Sequence, residues 1–271
     1  MDGETIPRQV EKAFAPRLKV LGGEVDVVTS AEMLDFVDSR IRQGRRGLVA
    51  NHNLHSLHLI RRSAAMRRFY DMADLVEIDS TPMILWARLL GRTVSREHRC
   101  TYLDWREDFW RLAAGRGWRV FYLGGAPGVA ARGAEAVRGR WPGAVIGVRD
   151  GYFDVDGPAN AAVTAEIAAF RPDVLLVGMG MPRQEAWIEK AYASLPACVV
   201  FPVGAAFDYE AGAVPTPPRW AGRVGLEWLF RLAAEPRRLA GRYLVEPWSL
   251  IGPASIDVLD ALRRQRTPAR V

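Results

Sequence analysis

DVLLVGMGMPRQEAWIEKAYASLPACVVFPVG, running from Asp173 to Gly204, decides the fold. Val174–Gly178 and Cys198–Val203 are short apolar runs rich in β-formers, and Arg183–Tyr192 between them is amphipathic at helical spacing. Pro182 is placed to open that helix, and Gly178 and Gly180 let a ligand come close to the backbone ahead of it. Strand, glycine turn, helix and second strand in this order predict parallel strands joined by a helix.

The same alternation extends toward the N-terminus. Strands are expected at Glu24–Val28, Gly47–Asn51, Leu75–Asp79, Arg119–Leu123 and Ala144–Val148. Helices are expected at Ala31–Ile41, Leu54–Arg62, Pro82–Leu90, Leu103–Ala114, Gly128–Arg140 and Ala161–Phe170. Thr29 with Glu32 forms a capping-box signature for the first of them. The expected fold class is α/β, a Rossmann-like, mostly parallel sheet flanked by helices. Past Val214 the pattern stops: Pro215–Pro218 breaks the chain, and from Trp220 onward it reads as helices rich in Arg, Trp and Leu. The expected organisation is an N-terminal segment (1–23), a Rossmann-like body (24–214) and a helical appendage (215–271).

With 271 residues, 49% of them hydrophobic and 25% charged, the chain has the balance of a soluble globular protein. No run of about 18 apolar residues predicts a spanning helix. Met1–Pro16, polar and broken by Pro7 and Pro16, has no signal-peptide core, so a cytoplasmic location is expected. Cys100 and Cys198 show no CxxC or Cys/His ligand spacing, which argues against a disulfide framework and a structural zinc. The net charge of +6, carried mostly by arginine, suits an anionic partner: a nucleotide, a diphosphate, an acidic lipid or nucleic acid.

Doubly wound sheets bind ligands beyond the carboxyl ends of their strands. Those ends carry Asn51 and Asn53, then Asp79, then Gly124 and Gly125, then Gly178–Gln184, then Gly204–Asp208. Small, polar and acidic residues in that row predict a cleft. Asp79 reads as a helix N-cap before Ser80-Thr81-Pro82, or as a general base for an acceptor hydroxyl, and one carboxylate can do both. The turn Gly124–Gly128 opens a helix and favours a phosphate or diphosphate. With Asp150 beyond the next strand it superficially suits a dinucleotide, although Pro127 interrupts the glycine pattern. Gly180, Arg183 and Gln184 cluster at the next helix start, where a plain solvated turn is the alternative.

Asp154 and Asp156 form a DxD triplet, but Gly157-Pro158 after it favours a loop and cap role, so no metal site is assigned. His52, His55 and His58 lack accompanying ligands and are expected to be structural or solvent-facing. In the appendage Arg219, Arg223, Arg231, Arg237, Arg238 and Arg242 interleave with Trp220, Trp228, Phe230, Tyr243 and Trp248. That mixture suits an anionic membrane surface. It equally suits nucleic acid or a packed helix pair with a basic outer face, although the α/β body contains no usual nucleic-acid module.

Taken in order, these segments resemble the WecG/TagA/CpsF family of bacterial glycosyltransferases over roughly Glu24 to Leu244. The specific stretches are GMGMPRQEAW (Gly178–Trp187), VGAAFDYEAG (Val203–Gly212) and GLEWLFRLAAEPRRLAGRY (Gly225–Tyr243). YLGGAPGVA at Tyr122–Ala130 and the segments around Asn53 and Asp79 fall in the expected positions. The resemblance implies a GT-E type body and an inverting, metal-independent transfer with no cofactor. It implies a UDP-sugar donor, often of ManNAc type or glucose, and an undecaprenyl-diphosphate-linked saccharide as acceptor. The products would be teichoic acid linkage units, enterobacterial common antigen, or capsule and exopolysaccharide repeats. It also assigns base character to Asp79, places Asn53 in the substrate pocket, and sets Gln184 on the nucleotide-sugar side. The appendage is implied to bind the inner face of the membrane and to help close the site, contributing Arg231, Arg238 or Arg242.

Three positions depart from the family pattern. Asn51 stands where threonine is frequent, Ser80 stands where glycine usually follows the aspartate, and Thr216-Pro217-Pro218 replaces Arg-Ala-Pro. The first two bear on sugar preference and the third removes a phosphate contact. Two other readings stay open on sequence: an NAD(P)-dependent oxidoreductase with a basic membrane-binding tail, resting on Gly124 and Asp150, and an RNA- or lipid-binding adaptor. An oligomer burying part of the appendage is a further expectation.

Overall fold

The computed structural model describes residues 17–216, 219–223 and 225–266, with the side chains of 219, 223 and 266 outside the described set. Eight strands occur among them: β1 Leu18–Val20, β2 Gly23–Val25, β3 Gly47–His52, β4 Leu75–Ile78, β5 Arg119–Gly124, β6 Val145–Arg149, β7 Val174–Gly178 and β8 Val199–Pro202. The last six form one parallel sheet in the order β4-β3-β8-β7-β5-β6. Both faces are covered, because alternate residues of each strand enter different cores. Ala50, Ile78, Leu123, Val177 and Val200 pack with helices 64–71, 81–89 and 183–191. Val49, Leu75, Tyr122, Leu176 and Phe201 pack with helices 30–42, 102–116 and 129–140.

The expected strand Glu24–Val28 does not join this sheet. Leu21 and Gly22, both at positive φ, turn the chain so that β1 pairs antiparallel with β2 in a separate hairpin. Asp26 then takes the place a strand would have held. It gives its N–H to Val76 O at 2.8 Å and accepts from Val76 N at 2.7 Å through Oδ2, which covers part of the open side of β4. Helix Ala64–Asp71 was not expected; it follows the Leu54–Ile60 helix after a break at Arg61–Ser63.

The chain leaves β5 toward β6 on one side and leaves β7 toward β8 on the other, so a crevice opens at the carboxyl end between them. Beyond residue 214 come helices Arg219–Arg223, Glu227–Ala234 and Pro236–Ala240, a wide turn and a tight turn over Gly241–Leu250, and helix Ile251–Arg266. Polar anchors hold this appendage on the body. Asp257 Oδ2 accepts from Leu21 N at 2.7 Å and from Trp86 Nε1 at 2.9 Å. His55 meets Glu246 at 2.5 Å and His58 meets Ser249 Oγ at 2.8 Å, two rungs one helical turn apart. His55 and His58, expected to be structural or solvent-facing, are structural and fasten the appendage. The Pro217-Pro218 part of the proline break lies outside the described residues.

Candidate active site

A cleft of about 910 Å³ runs between the carboxyl ends of the strands and the appendage. Asn51, Asn53, Asp79, Gly125, Gly180, Arg183, Gln184 and Asp208 border it from the body, and Arg231, Arg238 and Arg242 from the appendage. Gly124 does not. It pairs in register with Gly178, and a methyl on it would overlap the Gly178 backbone, so its smallness serves close strand packing.

Asp79 follows the last residue of β4, with its N–H on His52 O at 2.8 Å. It is not the helix cap: Ser80 holds that position before Thr81–Leu89, so the carboxylate is free for the cleft. Asn53 Nδ2 donates to Asp79 Oδ2 at 3.1 Å. Asp79 stays partly open to the cleft while protein surrounds it at longer range. That enclosure raises its pKa to about 6, against the lowering effect of Asn53, Arg99, Arg231 and Arg242. A carboxylate tuned toward neutrality at a strand end is a fitting proton acceptor.

The arginines differ in what they are free to do. Arg99, which nothing in the local sequence distinguishes from its many neighbours of the same type, is buried and fully engaged. It donates to Asp104 Oδ2 at 3.0 Å, Thr81 Oγ1 at 3.2 Å, Gly222 O at 3.3 Å and Glu227 Oε1 at 3.0 Å, joining the cleft floor to the appendage. Arg238 is held by Glu235 at 2.6 and 2.7 Å. Arg183 donates to Phe153 O and lies against the Phe153 ring, which turns it toward the loop after β6. Arg231 and Arg242 form no hydrogen bond or ion pair among the described residues, and Arg242 Nε is buried without a partner. Burial pushes the Arg242 guanidinium below its ordinary value, yet an arginine stays charged. Two enclosed cations on the cleft wall facing Asp79 are a natural anchor for a diphosphate.

Gln184 is a clamp. Its Oε1 accepts from Gly180 N at 3.1 Å and Gly204 N at 3.2 Å, and its Nε2 donates to Glu185 Oε1 at 2.8 Å. It therefore fixes the loops after β7 and β8 against each other, with Gly180 at φ +77 and the Met181–Pro182 bond cis. Asn51 does similar work, with Nδ2 on Pro202 O at 2.8 Å. Below the cleft, His52 stacks on Tyr70 at 3.9 Å, and burial lowers its pKa to about 3. Glu185 is buried nearby, its pKa raised by burial to about 7.

Asp208 borders the cleft beyond β8, and burial raises its pKa. Asp150 accepts from Tyr152 N at 3.2 Å and does not border the cleft, so the dinucleotide reading lacks its acid. In the DxD triplet, Asp154 Oδ1 accepts from Asp156 N at 3.0 Å and Asp156 meets Lys190 at 2.6 Å, a loop role. Among the described residues no three His, Cys, Asp or Glu side chains gather as a metal site, and no helix is long and apolar enough to cross a membrane. Sequence reading also missed Glu77, Trp105 and Tyr209, cleft residues whose local context reads as core.

A strand-end aspartate, an asparagine donor and enclosed arginines across a large cleft fit group transfer involving an anionic substrate. The family model of the glycosyl transferase WecG/TagA/CpsF family matches residues 18–264, nearly the whole chain; the protein belongs to that family and is a glycosyltransferase.

Proposed function

We propose that this glycosyltransferase moves a hexose-type sugar from a UDP-sugar onto a polyprenyl-diphosphate-linked saccharide, with inversion and without a metal, in the synthesis of a cell-surface polysaccharide. The observation that carries the reading is Asp79: a carboxylate open to the cleft, not used as a cap, with its pKa raised to about 6 by burial. Asp79 takes the proton of the acceptor hydroxyl, whose oxygen attacks the anomeric carbon from the side opposite the leaving group. The C–O bond to the diphosphate breaks, and the charge on departing UDP falls to Arg231 and Arg242.

The lipid-linked acceptor accounts for the outer surface of the appendage. Trp220, Phe230, Leu244, Val245 and Trp248 are exposed there, Trp248 by 70%, among a surplus of arginines. Aromatic and basic residues together suit peripheral association with the inner, anionic face of a membrane, which delivers a polyprenyl acceptor to the cleft.

The test is UDP release from UDP-glucose, UDP-glucuronate and UDP-ManNAc on a polyprenyl-diphosphate-linked acceptor, with and without a chelator. Asp79→Asn is expected to lower turnover by about 10²–10⁴-fold while leaving the fold intact. Near-native turnover in that variant would remove Asp79 from the base role, and loss of activity to the chelator would overturn metal independence.

A further inference from the structure

Three polar atoms in side chains that border the cleft are buried and lack any hydrogen-bond partner among the described residues: Glu77 Oε1, Ser80 Oγ and Trp105 Nε1. Buried polar groups in native proteins are ordinarily paired, and an orphan is costly unless something outside the chain completes it. Ser80 occupies a helix N-cap position yet its hydroxyl does not cap. Trp105 sits in the core with only its indole N–H unsatisfied.

All three side chains border the same cleft. Glu77 lies two residues before Asp79 and therefore on the same face of the chain, opposite Asn51 in the β3–β4 register. Asn51 in turn bonds Pro202 O, and the ring of the preceding Phe201 lies 5.6 Å from that of Trp105. Ser80 follows Asp79 directly.

We propose that Glu77, Ser80 and Trp105 form a polar subsite for an uncharged, hydroxyl-bearing sugar ring beside Asp79, and so set which sugar is accepted. The chemistry matches. An indole N–H donates, a serine hydroxyl donates and accepts, and a carboxyl in neutral form does both. Burial, with Asp79 and Asp104 close by, pushes Glu77 well above the usual carboxylate range, which favours that form. Adjacent sugar hydroxyls need such a mixed set. A hexuronate would bring its carboxylate against that of Asp79, so the subsite favours neutral sugars.

The inference rests on the donor and acceptor reading above but leaves open whether the ring is the donor's or the acceptor's. Calorimetry on the full chain separates the two. One arm compares UDP-glucose and UDP-glucuronate with UDP; the other compares farnesyl-diphosphate-linked glucose with farnesyl diphosphate. In one arm the native protein is expected to bind the glucose-bearing probe about tenfold or more tighter than the sugar-free one, because a site built to pair hydroxyls discriminates strongly. Glu77→Leu is expected to abolish that increment while leaving sugar-free affinity unchanged, with Glu77→Gln retaining most of it and Ser80→Ala losing part. Glu77→Leu should unfold no earlier than the native protein, since it removes an orphaned polar atom. An increment equal in native protein and Glu77→Leu in both arms, no increment in native protein, or tighter native binding of UDP-glucuronate than UDP-glucose would overturn the subsite. Failure of the native protein to bind either UDP or farnesyl diphosphate defeats the donor and acceptor reading itself, and the subsite with it.

Discussion

Asn53 holds Asp79 and starts a helix with the same side chain: Nδ2 donates to Asp79 Oδ2 at 3.1 Å, while Oδ1 accepts from His55 N at 3.0 Å and Ser56 N at 3.1 Å. The helix so capped carries His55 and His58, which fasten the appendage. One asparagine thus links the geometry of the proposed base to the closure of the cleft over it.

The two duties are separable. Serine caps helices about as well as asparagine, so Asn53→Ser should change stability by about 1 kcal/mol or less. It removes the donor that lowers the Asp79 pKa. The acid limb of the kcat/KM profile is expected to move toward higher pH by about one unit, read from initial rates across pH 5 to 9. An unmoved limb would show that the hydrogen bond does not tune Asp79.

The raised pKa has a consequence for stability. Asp79 binds its proton more tightly in the folded chain, at about 6, than at the ordinary 3.8, so its contribution is full below about pH 4 and is lost as pH rises through 6. Asp79→Asn should therefore melt higher than native protein at pH 8, by at most about 3 kcal/mol and less to the extent that cleft water screens the charge. The difference should vanish at pH 4. Melting curves at the two pH values decide it.

Gln184→Ala leaves the N–H groups of Gly180 and Gly204 without their acceptor. Each costs about 1–3 kcal/mol if it stays buried, or the loops open to water. We expect a lower melting temperature and a donor KM raised more than kcat falls, because the loops are displaced from the substrate rather than the base from the acceptor. Steady-state kinetics with varied donor would show the split.

Arg99→Met should loosen the appendage. It strips Asp104 and Glu227 of a buried partner, a loss of about 3–5 kcal/mol for a buried pair broken on one side. Limited proteolysis is expected to cut near residues 211–216 at least several-fold faster than in native protein. Unchanged cleavage would mean that the hydrophobic contacts hold the appendage without Arg99.

Much of the fold was legible because it is local. Six of the seven expected strands lie within two residues of their observed bounds in the parallel sheet, since a strand buried on both faces shows as an apolar run whatever surrounds it. The capping box at Thr29 and Glu32 forms as its spacing requires. The run at Glu24–Val28 went elsewhere because pairing partners are a tertiary matter: Gly23–Val25 pairs with Leu18–Val20, and Asp26 bonds Val76 at the edge of β4. Eleven of the twelve residues singled out as site candidates border one cleft, since strand ends in a parallel sheet converge on one side.

What the sequence by itself determined is the alternation of strands and helices and the ordered motifs of a glycosyltransferase family. Only the tertiary structure decided what each polar side chain does. Gln184 and Arg238 are spent on neighbours, Arg231 and Arg242 are left enclosed without a hydrogen bond or ion pair among the described residues, and Asp79 is freed from capping by Ser80. The physical reason is that secondary structure follows from spacing along the chain, whereas pairing, burial and the resulting shift of a carboxylate toward neutrality depend on groups far apart in sequence. Arg99 sits 128 residues from its partner Glu227, and no local pattern records that distance.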